Sequence, residues 1–270
     1  MIEELLPVAA EVAERYDDAA PAPLFAAEEA VVARAVPERR REFGTTRACA
    51  RTALAGLGVA PAPILPGRRG APVWPAGVVG SMTHCAGYRA AVVARADEVM
   101  AVGVDAEPNL PLPGRQAREL VTLPQERVWL TELRACRPGV CWDRLVFSAK
   151  ESVYKAWYPL TGRPLDFADA EITFDPWAGT FTARLAAAAV VVNGRRVAAF
   201  HGRWLVRGGL LLTAIAPAAV GAVEGANTAA STAASTAATG AVAVPGCGPV
   251  AGGDAVRGSA VRARAGVIDR

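Results

Sequence analysis

The sequence has no C-x-x-C pair. Its five cysteines, at positions 49, 85, 136, 141 and 247, are odd in number and scattered. That pattern argues against a disulfide framework and against a thiolate zinc site, and reduced thiols are the simplest reading. Histidine is scarce, with only His84 and His201, and no G-x-S-x-G elbow appears. Long apolar runs are missing too. Segments such as 210–216 fall far short of the ~20 residues that a membrane span needs. The N-terminus, MIEELLPVAAEVAERYDDA, is acidic and lacks the basic start and apolar core of a signal peptide. A soluble, cytoplasmic protein without a membrane span is expected. Excess charge of one sign is also absent. A net charge of +3 argues against a nucleic-acid binder that works by bulk electrostatics, because neutralising phosphates needs a concentrated basic surface.

What is present suffices for one large domain or two modest ones: 270 residues, 52% of them hydrophobic. Residues 1–35 read as one or two helices broken near Pro21 and Pro23. A helix is expected over 38–57, where Phe43, Arg47, Ala50, Leu54 and Leu57 recur at three- and four-residue steps and Gly56 and Gly58 mark the end. Residues 60–80, rich in Pro and Gly, read as loop. Strands are expected at 90–94 and 99–104, and a helix at 148–157. A meander follows over 172–174, 180–185, 190–192, 197–204 and 210–216, with Asn193-Gly194 and Gly208-Gly209 as hairpin turns. After Pro217 the composition changes to ANTAASTAASTAATGAVAVPGCGPVAGG. Such a segment cannot bury enough apolar area to offset chain entropy, so 218–270 is expected to be a disordered tail.

Three carboxylates stand out. Asp105 and Glu107, in VGVDAEP, follow an apolar strand, and side chains two apart in a strand point the same way. They could face one small cation or simply end a strand in solvated acids. Glu151, in FSAKESVYKAW, fits position N3 of a capping box opened by Ser148. Lys155, four residues on, could pair with it on one helical face. With Lys150 nearby, the same cluster would also suit an anion held beside Mg²⁺, which favours a few carboxylates and substrate phosphate oxygens. A basic group lies earlier: Arg39, Arg40, Arg41, Arg47 and Arg51 on one helix, then Arg68 and Arg69 before Trp74. GSMTHCAGY follows, with Ser81, Thr83 and His84. Solvated faces would explain most of these charges, and His84 could be a structural residue or a phosphate donor.

Together these segments resemble the Sfp-type phosphopantetheinyl transferases, most closely their EntD-like actinobacterial branch. Four stretches carry the resemblance in order: RRREFGTTRACAR (39–51), PILPGRRGAPVWPAGVVGSMTHCAGY (63–88), VGVDAEP (102–108) and FSAKESVYKAW (147–157). The resemblance spans roughly 20–217. It implies an α+β fold of two similar halves related by a pseudo-twofold, each a small antiparallel sheet with a long helix. The halves would be 1–103, gripping the nucleotide of coenzyme A, and 104–217, carrying metal ligands and catalytic residues, with the site between them.

By residue, the resemblance implies Mg²⁺ at Asp105, Glu107 and Glu151. Glu151 would accept the serine proton and Lys155 would serve the leaving group. Lys150 and Lys155 would contact the diphosphate. Arg39 and Arg47 would grip the 3′-phosphate or adenine, with Arg69, His84 and the adjoining Ser81 and Thr83 completing the coenzyme site. The implied activity moves 4′-phosphopantetheine from CoA to a serine of apo carrier proteins for siderophore, polyketide or peptide synthesis, in a monomeric enzyme. A non-catalytic CoA- or carrier-binding relative is the alternative, and another magnesium phosphoryl enzyme is a more distant one. A hydrolase would explain the acids, but not GSMTHC or the arginine helix.

Overall fold

A computed structural model describes residues 1–20, 22–186, 190–192 and 195–219. The expected Asn193-Gly194 turn and nearly all of the expected tail lie outside the described residues. A first antiparallel sheet has the order β1-β3-β2, from β1 (Ala10–Arg15), β2 (Val78–Cys85) and β3 (Tyr88–Arg95). Between β1 and β2 come the short α1 (Ala26–Val31) and the twenty-residue α2 (Pro37–Gly56). A second sheet has the order β4-β10-β9-β6-β5, from β4 (Gly103–Pro108), β5 (Ala170–Asp175), β6 (Thr180–Leu185), β9 (Ala199–Arg207) and β10 (Leu210–Ile215). Helices α3 (Gly114–Val121), α4 (Pro124–Cys136) and the twenty-residue α5 (Trp142–Thr161) separate β4 from β5. A small ribbon, β7 (Val190–Val192) with β8 (Arg195–Val197), completes the set. The α+β architecture, with a long helix on each antiparallel sheet, is the one the resemblance implied.

Three apolar clusters hold it together. Cys49, Ala50, Ala53 and Leu54 of α2 pack on Ala91 and Val93 of β3. Trp142, Leu145, Ala149, Val153 and Trp157 of α5 pack on Ile172, Phe181, Phe200 and Leu211. The third cluster draws on both sheets, with Ala90 and Val92 meeting Val104, Ala106, Leu212 and Ala214. β3 is therefore buried on both faces. Burying each large side chain contributes about 1.5–3 kcal/mol.

Several expectations change. The N-terminal segment is a 3₁₀ turn (Ile2–Leu5) followed by strand β1, not a helix. Its register against β3, from Ala10↔Ala94 to Arg15↔Arg89, gives it a ladder that local propensity could not announce. The loop expected over 60–80 runs into β2 at Val78. The strand expected at 99–104 lies later, at Gly103–Pro108, so Asp105 and Glu107 are inside it. The helix expected at 148–157 begins at Trp142. Ser148 is thus two turns inside α5 and cannot cap it. The Gly208-Gly209 turn is present, with positive φ at both residues (58° and 79°), as a tight primed hairpin turn needs.

Candidate functional site

The site is built at the seam where β2 meets β4. The two strands belong to different sheets, and side chains supply the bonds between them. The Val104 amide donates to Ser81 Oγ (3.1 Å) and the Ala106 amide to Thr83 Oγ1 (3.0 Å). Ser81 and Thr83 are both 3% exposed. Both hydroxyls bond across the seam, and Thr83 passes its hydrogen to Asp105 Oδ1 (3.3 Å).

Helix α5 sits closely on β4. A Cβ at Gly103 would lie 2.0 Å from the Ser152 carbonyl oxygen, so only glycine allows this approach. Three buried hydroxyls fix the helix position. Thr213 Oγ1 lies 2.9 Å from Ser148 Oγ and 2.6 Å from Ser152 Oγ, and donates to the Ser148 carbonyl (3.0 Å). Thr213 stands opposite Asp105 in the β4–β10 register. This brings the α5 face carrying Glu151 and Lys155 to the acids of β4. No motif marks these hydroxyls, although the spacing of Ser148 and Ser152, one turn apart, was the available signal.

Asp105 is buried and its Oδ1 receives Lys155 Nζ at 2.7 Å. Its Oδ2 is buried with no hydrogen-bond partner. A lone carboxylate oxygen so placed is costly unless a ligand or cation completes it. Lys155 Nζ also donates to the Val104 carbonyl (3.1 Å). Burial disfavours its charge, but Asp105, Glu151 and Glu107 outweigh that and hold its pKa above the ordinary lysine value. Glu107, on the same side of β4, accepts from Arg144 Nη1 at 3.0 Å. Burial, then the charge of Asp105, push its pKa up to about 7, against the pull of Arg144 and Lys155. Glu151 is close enough to add to both shifts. Even so, among the described residues no three His, Cys, Asp or Glu side chains gather around one point as a coordination shell. The arrangement is a pair of acids on β4 with Glu151 facing them.

On the other side of the seam His84, at the end of β2, meets the Arg39 guanidinium and lies 3.8 Å from Glu42 Oε2. Partial burial, then Arg39, Lys155, Arg89 and Arg47, hold its pKa down to about 3, so the ring is neutral. Cations from both halves therefore surround one imidazole. Arg47, two turns along α2 from Arg39, is nearly buried, with Nε donating to the Ile64 carbonyl (3.2 Å) and its guanidinium 3.7 Å from the Phe43 ring centroid. Burial lowers its pKa to about 10. Arg69 lies on an exposed turn with φ of 53°, a conformation uncommon outside glycine.

Lys150 does not reach this site. Its side chain is 2% exposed, and its three N–H groups go to the Val121 carbonyl, Glu126 Oε2 and the Phe167 carbonyl, each at 2.9 Å. One residue from Glu151 on a helix, it points about 100° away. Its expected contact with the diphosphate is corrected: every donor is committed to the scaffold. Sequence reasoning also missed Arg144, whose first-turn position in α5 carried no motif signal.

The α+β scaffold thus brings paired acids and cations together at the seam of two sheets. Comparison with known proteins makes the class specific. The 4′-phosphopantetheinyl transferase N-terminal domain matches residues 27–94, and the 4′-phosphopantetheinyl transferase superfamily matches residues 101–199. The 4′-phosphopantetheinyl transferase Svp of Streptomyces mobaraensis is 59% identical over 222 residues, covering 81% of this chain and 90% of that protein. PptT of Mycobacterium tuberculosis is 48% identical, over 75% of this chain and 90% of that protein. Npt of Nocardia iowensis is 46% identical, over 81% of this chain and its own whole length. The chain belongs to the 4′-phosphopantetheinyl transferase superfamily, and its activity is phosphopantetheinyl transfer.

Proposed function

We propose that this chain moves the 4′-phosphopantetheine arm of CoA to a serine of apo carrier proteins, with Mg²⁺ as its cofactor. The observation that carries the metal reading is the unpartnered, buried Asp105 Oδ2 beside a Glu107 whose charge the surroundings disfavour. Two such carboxyl groups suit a hard cation that keeps several waters and substrate oxygens. Asp105 and Glu107 would hold Mg²⁺ with Glu151 alongside, and the ion would neutralise charge on the diphosphate oxygens.

In the reaction the serine Oγ forms a bond to the β-phosphorus while the bridging P–O bond breaks and 3′,5′-ADP departs. Glu151 takes the serine proton. Lys155 keeps one N–H beyond its bonds to Asp105 and Val104 and directs it at the departing phosphate. Arg39, Arg47 and the neutral His84 hold the nucleotide end, with Arg69 at its rim. Nucleotide grip thus falls in 1–103 and chemistry in 104–217. Carrier domains of siderophore, polyketide or peptide synthases, met as reduced protein in the cytoplasm, complete the reading. No helix among the described residues is long and apolar enough to cross a membrane. Incubation with CoA, Mg²⁺ and a panel of apo carriers, read by intact mass, tests it. A phosphopantetheine-sized mass gain that EDTA abolishes is expected, and no gain on any carrier would overturn it.

A further inference from the structure

We infer that Arg144 is a positioning residue, holding Glu107 in the orientation that the cation site requires. The inference rests on the Mg²⁺ reading above. Arg144 lies in the first turn of α5, and its guanidinium is used on three sides. Nε donates to the Leu110 carbonyl (3.1 Å), Nη2 to the Pro111 carbonyl (3.2 Å) and Nη1 to Glu107 Oε2 (3.0 Å). Two backbone carbonyls therefore fix the plane of the fork before it meets the carboxylate, and both partners of the ion pair are only 19% exposed. Arg144 ties Oε2 of Glu107, and the cation would take the other oxygen. Asp105 is held in the same manner by different residues: Lys155 and Thr83 occupy Oδ1, leaving Oδ2. Each acid of β4 thus has its own outer partner, and such partners set the direction and affinity of ligating carboxylates.

A second clasp at the same junction separates positioning from mere stability. Asn109 Nδ2 donates to the Gly139 carbonyl (2.7 Å), and the Cys141 amide donates to Asn109 Oδ1 (2.9 Å). Asn109 thereby ties the start of α5 to the end of β4 without touching Glu107. Lysine cannot reproduce the three-sided fork of Arg144, since a single ammonium offers no planar pair of donors to match the carbonyls and the carboxylate together.

The test compares wild type, Arg144→Lys, Arg144→Gln and Asn109→Ala in the full chain. Two midpoints are measured: the Mg²⁺ concentration for half-maximal transfer, and that for half of the Mg²⁺-induced rise in Tm without CoA or carrier. Arg144→Lys and Arg144→Gln should raise both midpoints by roughly 10–100-fold, with the carrier KM little changed. Asn109→Ala should lower Tm and leave both midpoints in place. Unshifted midpoints in folded Arg144→Lys, or an equal shift in Asn109→Ala, would overturn the role of Arg144. If both Arg144 variants fail to fold, a shift in Asn109→Ala still refutes it, and Glu107→Gln with Arg144 intact supplies the converse. That variant should raise both midpoints, and wild-type binding would sink the idea. A wild type indifferent to Mg²⁺ in both readouts removes the cation reading itself, a result distinct from an unshifted variant.

Discussion

Each half of the molecule contains one fully buried glutamate at the third position of a helix, and the two do the same work. In the first half Glu28 accepts the Phe25 amide (3.0 Å), the Ile64 amide (2.9 Å) and Arg51 of α2 (3.0 Å). In the second, Glu126 accepts the Leu123 amide (2.7 Å), the Ile172 amide (2.7 Å) and Lys150 of α5 (2.9 Å). A short helix, a distant backbone amide and the long helix are thus locked by one carboxylate in both places. This repeated strut is what two similar halves predict. The difference lies in what the long helix has left over. α2 brings Arg39 against His84 and Arg47 near enough for its charge to act on that ring, whereas α5 brings Lys155 onto Asp105 and Glu151 near Glu107. One strut design leaves arginines for other contacts on one long helix and an acid and a lysine on the other, because the strut consumes a single cation of each helix.

Removing chemistry without touching a strut should have the largest effect. Glu151→Gln should lower kcat by roughly 10²–10⁴-fold, the range for a lost general base, with Tm near that of wild type. Because Ser148 and Glu151 are interior to α5, no cap is lost. A folded variant with near-normal turnover would show that Glu151 is not the base.

The two lysines of α5 offer the next contrast. Lys150→Ala leaves Glu126 buried without its cation, and breaking such a pair costs about 3–5 kcal/mol. Chemical denaturation should show that loss, with kcat preserved wherever the variant is folded. Lys155→Ala should do the reverse, costing rate more than stability, since its side chain is less buried than that of Lys150. In the first half Arg51→Ala should destabilise less than Lys150→Ala, because Arg51 is 14% exposed against 2% for Lys150 and water can reach the vacated place. Equal losses would mean that the struts are energetically alike despite their different exposure.

The nucleotide grip proposed for Arg39 and Arg47 is tested by comparing CoA with dephospho-CoA. Charge-assisted contacts contribute about 1.5–3 kcal/mol each, so the missing 3′-phosphate should raise KM by roughly 10–100-fold in wild type. Arg47→Ala should erase most of that difference. Equal use of both substrates by wild type would take Arg39 and Arg47 out of the nucleotide site.

What the sequence could and could not show follows the reach of each interaction. Helix α2 and the hairpin at Gly208-Gly209 were legible because periodicity and turn chemistry are local. The D-x-E pair was legible because strand alternation puts both acids on one side. Strand β1 was not, since Ala10–Arg15 becomes a strand only by pairing with β3, almost eighty residues on. Lys150 was misread because K-E-x-x-x-K places three charges on one helix but does not say which faces Glu126. Ser81, Thr83, Arg144 and Thr213 act through contacts with distant segments, which no single-sequence pattern encodes.

The smallest effect concerns where the folded body ends, and it sharpens the boundary expected at Pro217. The Met100 amide donates to the Pro217 carbonyl (2.9 Å) and the Ala219 amide to the Glu98 carbonyl (2.9 Å). Val99 and Ala218 form an antiparallel bridge, and Ala219 is 8% exposed. Residues 217–219 therefore anchor the turn that leads into β4, so two truncations should differ although they are only two residues apart. Ending the chain after Ala219 removes a segment whose composition offers little apolar area to bury, and transfer rate and Tm should stay at wild-type values. Ending it after Pro217 removes one backbone hydrogen bond and the Val99–Ala218 bridge. At about 0.5–1.5 kcal/mol for a net hydrogen bond, Tm should drop by a few degrees while kcat is kept. Thermal melts and single-carrier turnover on both truncations measure this directly. A soluble but inactive 1–219 protein would show that the remaining residues serve the reaction, and identical Tm values would show that the bridge contributes nothing to the second half.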